Sequence, residues 1–182
     1  MPDEILVIAC GALAREIEDL RRLNGWEHLR LSSLDAKLHH RPTRIPDRLR
    51  EKIRRNKARF DRIYVAYADC GTRGEIDRVI EEEGPGIERL PGVHCYEFFA
   101  GKERFAKLSD EEPGTFYLTD FLARHFDSIG GMLYEADYGC DIGEESCFEP
   151  KFGDDPCDDA PKGDAMDMTP LQALNARLSQ LP

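Results

Sequence analysis

No stretch of this 182-residue chain holds the roughly 20 consecutive apolar residues that a membrane-crossing helix needs, so no membrane span is expected. The start, MPDEILVIACGALAREIEDL, lacks a basic region ahead of its apolar run and a small-residue cleavage site after it. It therefore does not read as a signal peptide, and the cytoplasm is the expected compartment. There is no C-x-x-C pair, so the cysteines do not form a metal-ribbon signature. A Walker loop and a dinucleotide fingerprint are also missing, and nucleotide binding is not expected. Positive charge is scarce at one end: residues 128–182 carry 3 Lys+Arg against 12 Asp+Glu, most of the net charge of −11. A surface of that sign repels phosphates, so nucleic acid is not an expected partner. The basic stretch RLREKIRRNKAR alternates with Leu49 and Ile53 at helical spacing and reads as a solvated helix face rather than an anion-binding patch.

What the chain does contain is an alternation of short apolar runs and amphipathic segments. EILVIA (4–9) is continuous, rich in β-branched residues and typical of a buried parallel strand. A helix follows Cys10-Gly11 with Leu13, Ile17, Leu20 and Leu23 on one face, and Asn24-Gly25 ends it. A weaker strand is expected over 28–32, a loop over LHHRPTRIP, and a helix from Pro46 to about Arg59. DRIYVAYA (61–68) is the clearest strand; a helix through Ile76, Val79 and Ile80 and a short strand over 87–90 come next. Helices are expected over roughly 97–108 and after Pro113-Gly114, with Leu118, Phe121, Leu122 and Phe126 inward. The order β-α-β-α-β-α-β-α predicts an α/β, Rossmann-like open parallel sheet with helices on both faces over residues 1–127. Residues 128–168 predict an acidic, irregular, Cys-containing segment, and residues 169–182 a terminal helix with Leu171, Leu174 and Leu178 on its docking side.

Ligands of open parallel sheets bind beyond the carboxyl ends of the strands. Cys10 and Cys70 stand at two such ends, and Cys95 comes just after a third. In the strand order 2-1-3-4 the first two face each other across the switch point. A Gly after each, in ACGA and DCGT, lets the chain turn sharply into a helix whose dipole favours a thiolate. Thiolates bind metals and attack electrophiles. Cys10, Cys70, Cys95 and His94 are the candidate metal ligands, a set that suits zinc or another thiophilic metal. Cys70 as nucleophile with His94 as base is the candidate catalytic pair. Gly11, Asp69, Gly71, Thr72, Tyr96 and Glu97 are the candidate cofactor contacts. Against these stand plain packed cysteines, which are common in cores. His39-His40 reads first as a surface loop, with a contribution to the site as the lesser alternative, and Cys140, Cys147 and Cys157 read as thiols of a tail or of a second metal site.

The phrases IACGALAREI, LHHRPTRIPDRLREKI, RIYVAYADCGTRGEIDRV, GVHCYEFFAG and EPGTFYLTDFLARHFD resemble the family of domain of unknown function 1638, over roughly residues 4–127. The stretch beyond Asp127 departs from that pattern. The resemblance implies a small cytosolic protein encoded near corrinoid-dependent methyltransferases, with a corrinoid protein or methyltransferase as partner and the corrinoid reached only through it. Three functions follow as expectations: a thiolate metal protein in one-carbon transfer, a non-catalytic accessory docking on a methyltransferase, or a metal-free cysteine enzyme.

Overall fold

The computed structural model describes residues 4–115, with 117, 119, 121, 178 and 179. β1 (Ile5–Cys10) is buried along its whole length, as its unbroken apolar run requires. It pairs in parallel with β2 (Leu29–Leu34) on one side and β3 (Arg62–Ala66) on the other, and β3 pairs with β4 (Ile87–Arg89). The sheet order is β2-β1-β3-β4, the expected switch-point topology. α1 (Ala14–Asn24) connects β1 to β2, α2 (Ile45–Asn56) connects β2 to β3, and α3 (Glu75–Glu83) connects β3 to β4. Right-handed crossovers from this order put α1 on one face and α2 with α3 on the other. Ile8, Leu13, Ile17, Ile45, Leu49 and Ile53 are fully buried between the layers. Each such side chain contributes about 1.5–3 kcal/mol by leaving water.

Local rules explain the boundaries. Gly25 at φ 64° ends α1, its N–H donating to the carbonyls of Arg21 and Arg22. Arg50 and Arg54 of α2, and Lys57 just after it, pair with the end of α3 as a solvated face: Arg50 with Glu82 at 2.6 Å, Arg54 with Glu83 at 2.7 Å and Lys57 with Glu83 at 2.9 Å.

Several expected elements differ in detail. β2 runs to Leu34, and α2 ends at Asn56 rather than Arg59. The expected loop over LHHRPTRIP contains two 3-10 turns, Ala36–His40 and Pro42–Arg44. The helix expected over 97–108 is two helices, α4 (Tyr96–Ala100) and α5 (Lys102–Glu111), broken at Gly101, whose φ of 80° no helix accommodates. Of the terminal helix, Leu178 is helical and buried in the same core as the sheet, so this end of the chain docks on its own domain at that residue. The segment 128–168, with Cys140, Cys147 and Cys157, lies outside the described residues, as do Leu118, Leu122 and Phe126. Among the described residues no helix is long and apolar enough to cross a membrane.

Candidate functional site

β1 delivers Cys10 to the carboxyl edge of the sheet, where its Sγ accepts from the Ala12 N–H at 3.4 Å as the chain turns into α1. Gly11 makes that turn possible. A Cβ there would stand 2.7 Å from the Leu34 carbonyl oxygen and 2.9 Å from the Ala36 nitrogen, both backbone atoms. The same close approach carries the turn Ala36–His40 over Cys10. Asp35 starts this turn by accepting from the Lys37 N–H at 2.8 Å. His39, half-buried, then places Nδ1 3.8 Å and Nε2 3.9 Å from Cys10 Sγ.

The ring of His39 stacks on Tyr67, centroids 5.7 Å apart and planes 13° from parallel. Tyr67 follows the last residue of β3 and is fully buried. Its hydroxyl has no partner of good hydrogen-bond geometry among the described residues, and the group it lies against is the Cys10 thiol.

Beyond Tyr67 the chain keeps pairing with the segment after β4. Leu90 N–H donates to Val65 O at 2.9 Å, and Asp69 and Cys70 N–H donate to Gly92 and Val93 O at 3.0 Å each. This ladder holds Cys70 beside Cys95, at the start of α4. Cys70 sits at φ 48°, left-handed backbone that only glycine adopts without cost. The turn after it is built around Asp69, whose carboxylate accepts from Thr72 Oγ1 and Gly74 N–H at 2.7 Å and from Arg73 N–H at 3.0 Å. Burial opposes its charge, but these donors prevail and hold the carboxyl below its usual range. Gly71 sits at φ 83°, where an added Cβ would stand 3.7 Å from the Pro42 ring, and Thr72 is buried.

The three thiols differ sharply. Burial pushes Cys10 up to about 12. The Cys70 thiol is held protonated first by donating to Cys95, then by burial. Cys95 moves the other way: the Cys70 S–H and the Cys95 and Tyr96 N–H groups favour its thiolate, against burial and the nearby buried Glu16. Cys95 is thus the most readily ionised thiol of the three.

His94 is exposed, its ring 6.1 Å from Phe105. Glu97 turns a carboxylate oxygen back to the Val93 and His94 N–H groups at 2.9 and 3.3 Å, shaping the entry to α4. Tyr96, half-buried and pushed up to about 12 by burial, joins Phe105 and Tyr117 in an aromatic group beside the thiols. The donors nearest one another therefore form two pairs, Cys10 with His39 and Cys70 with Cys95. Among the described residues no three His, Cys, Asp or Glu side chains already converge on one point.

The family model described as "Protein of unknown function (DUF1638)" matches residues 33–144. The chain belongs to that family. In this DUF1638 protein the matched span holds His39, Tyr67, Cys70 and Cys95, while Cys10 precedes it. The span also continues beyond Asp127 to include Cys140, so the family pattern extends into the acidic stretch that departs from the resemblance read from sequence. Neither a curated protein nor a solved structure matches the chain.

His39 and Tyr67 were not among the site residues expected from sequence. Their only signals are a His pair 29 residues after Cys10 and a Tyr three residues before Cys70.

Proposed function

We propose that this DUF1638 protein binds a thiophilic metal of zinc type through Cys10, Cys70 and Cys95, and acts in or beside corrinoid-dependent methyl transfer. The observation that supports the reading is that Cys10, Cys70 and Cys95 come from separate segments toward the carboxyl edge of neighbouring strands, with Cys70 beside Cys95. Their chemistry fits a cation. Two of the three thiols resist ionisation in this desolvated crevice, and a divalent metal replaces their protons. Such a centre supplies a cation that holds a thiol as thiolate at neutral pH, the form a methyl acceptor needs. The link to corrinoid chemistry rests on the family resemblance, with the corrinoid carried by a partner.

Titrating zinc into metal-free protein at pH 7 in weak buffer tests the metal reading. Proton release on zinc binding is expected, from Cys10 and Cys70 above all. Zinc bound without proton release, or not bound, contradicts it.

A second reading has its own support. The Cys70 S–H and two backbone N–H groups lower the Cys95 thiol from its ordinary value without any metal, which is the direction a cysteine nucleophile requires. Alkylation of Cys95 that zinc does not slow would favour this reading over the first.

A further inference from the structure

We propose that Cys70 and Cys95 form a reversible dithiol–disulfide pair, a redox site whose co-substrate is a low-molecular-weight disulfide. The backbone brings the two residues together. Asp69 and Cys70 donate to the Gly92 and Val93 carbonyls at 3.0 Å each, so the chain after β3 runs beside the chain after β4 up to Cys70 itself. Just past Val93, the Glu97 N–H closes on His94 O at 3.1 Å and the Phe98 N–H on Cys95 O at 3.0 Å, starting α4. Phe98 is fully buried and anchors that start. Cys70 Sγ then accepts from the Cys95 N–H, and its S–H donates to the Cys95 sulfur. The two sulfurs are neighbours before any bond forms.

The third thiol is arranged differently. Cys10 is 1 % exposed, its Sγ accepts from the Ala12 N–H at 3.4 Å, and the His39 ring lies over it with nitrogens 3.8 and 3.9 Å away. Burial under that ring shields it from a disulfide in solution, and exchange requires access to the attacking sulfur. Cys70 and Cys95 are half-buried, and His94 beside Cys95 is exposed. Cys70 also holds left-handed backbone, at φ 48°, which a β-carbon makes costly. Glycine would relieve that strain and lose the sulfur.

The step balances between the two thiols and the disulfide RSSR. One cysteine, as its thiolate, attacks a sulfur of RSSR; the S–S bond of RSSR breaks and one RS⁻ leaves with the electron pair. The second cysteine sulfur attacks the mixed disulfide, forming the Cys70–Cys95 bond and releasing the second RS⁻. Both cysteine protons pass to the released thiolates. The dithiol and RSSR thus become the protein disulfide and two RSH, and two electrons move from the protein to RSSR. Excess RSH runs the step backwards. The side chains are shared with the metal reading, but the redox pair does not rest on it, because no metal takes part.

Non-reducing peptide mapping tests the pair on the full, metal-free chain, reduced and then equilibrated without air in mixtures of glutathione and glutathione disulfide. Wild type is expected to give a Cys70–Cys95-linked peptide at least about tenfold more abundant than glutathione adducts of either residue, because the second thiol acts at high effective concentration. Excess glutathione should reverse the link. Cys70→Ser and Cys95→Ser should each keep a glutathione adduct on the remaining cysteine instead. The linking rate should not rise in urea below the unfolding transition, as a reaction of the folded chain requires. Three results would each overturn the proposal: adducts without the link, a link from either residue to Cys10, Cys140, Cys147 or Cys157 in its place, or linking only once urea opens the chain.

Discussion

Arg89 grips Asp77 with two nitrogens, Nε 2.6 Å from Oδ1 and Nη2 2.8 Å from Oδ2, so the last residue of β4 is tied to the first turn of α3. Its remaining nitrogen reaches the carbonyls of Tyr67, Leu90 and Gly92 at 3.3–3.4 Å. One guanidinium thus braces both segments that carry Cys70 and Cys95 to their meeting point. Lysine could not make this planar fork.

Replacing Arg89 with Met should therefore cost about 1–3 kcal/mol of stability, because it removes the donor shared by the Tyr67 and Leu90 carbonyls, while Gly92 O keeps the Asp69 N–H. Urea unfolding measures this. Asp77→Asn should cost less, since Asp77 is about half exposed and water can replace it. Equal losses would mean that the ion pair, not the carbonyl contacts, carries the effect.

The thiols should alkylate in a definite order. With iodoacetamide at pH 7 and no metal, Cys95 should react well before Cys70, and Cys10 should stay unmodified because burial pushes it up to about 12. Cys70→Ala removes the S–H that supports the Cys95 thiolate. The rate profile of Cys95 should then move to higher pH, as peptide mapping across pH 6–10 would follow. A profile that stays in place would remove Cys70 from that role.

Gly11→Ala should destabilise the protein by about 1–3 kcal/mol, because its methyl meets two backbone atoms that cannot swing aside. The turn bearing His39 is what it would displace. The thermal midpoint should fall accordingly. An unchanged midpoint would show that the approach of β1 and the Ala36–His40 turn is looser than described.

Glu83 is held below the usual carboxylate range, first by the Lys57 ammonium and then by Arg54, with burial opposing. A depressed folded value contributes stability above the unfolded carboxylate range and loses it as pH falls through the folded value. Glu83→Gln should thus cost about 1 kcal/mol at pH 7 and progressively less in acid. Urea midpoints at pH 7 and pH 3 compare the two; a difference from wild type that does not shrink at pH 3 would contradict the pairing.

The sheet was readable because its physics is local. The runs 4–9 and 61–68 are continuous and β-branched, and the connecting segments have helical spacing, so the order β2-β1-β3-β4 and the cysteines at the strand ends follow. Gly101 is different. The apolar spacing continues through it, and only its positive φ shows that α4 and α5 are separate. His39 was hidden for a tertiary reason: it reaches Cys10 because Gly11 lets a 3-10 turn fold over the end of β1, which no periodicity announces. Tyr67 looks like one more strand residue, and the burial of its hydroxyl against Cys10 exists only in the packed fold. Glu97 and Asp69, readable as ligands by residue type, both turn their oxygens to the backbone of their own loops.

Metal content by mass spectrometry of anaerobically purified protein, beside a Cys10→Ser/Cys70→Ser/Cys95→Ser variant, tests the shared thiol centre most directly. About one zinc-type metal per chain in the wild type and none in a folded triple variant is the expected result. Equal metal in both, or none in the wild type even after incubation with zinc, would contradict it.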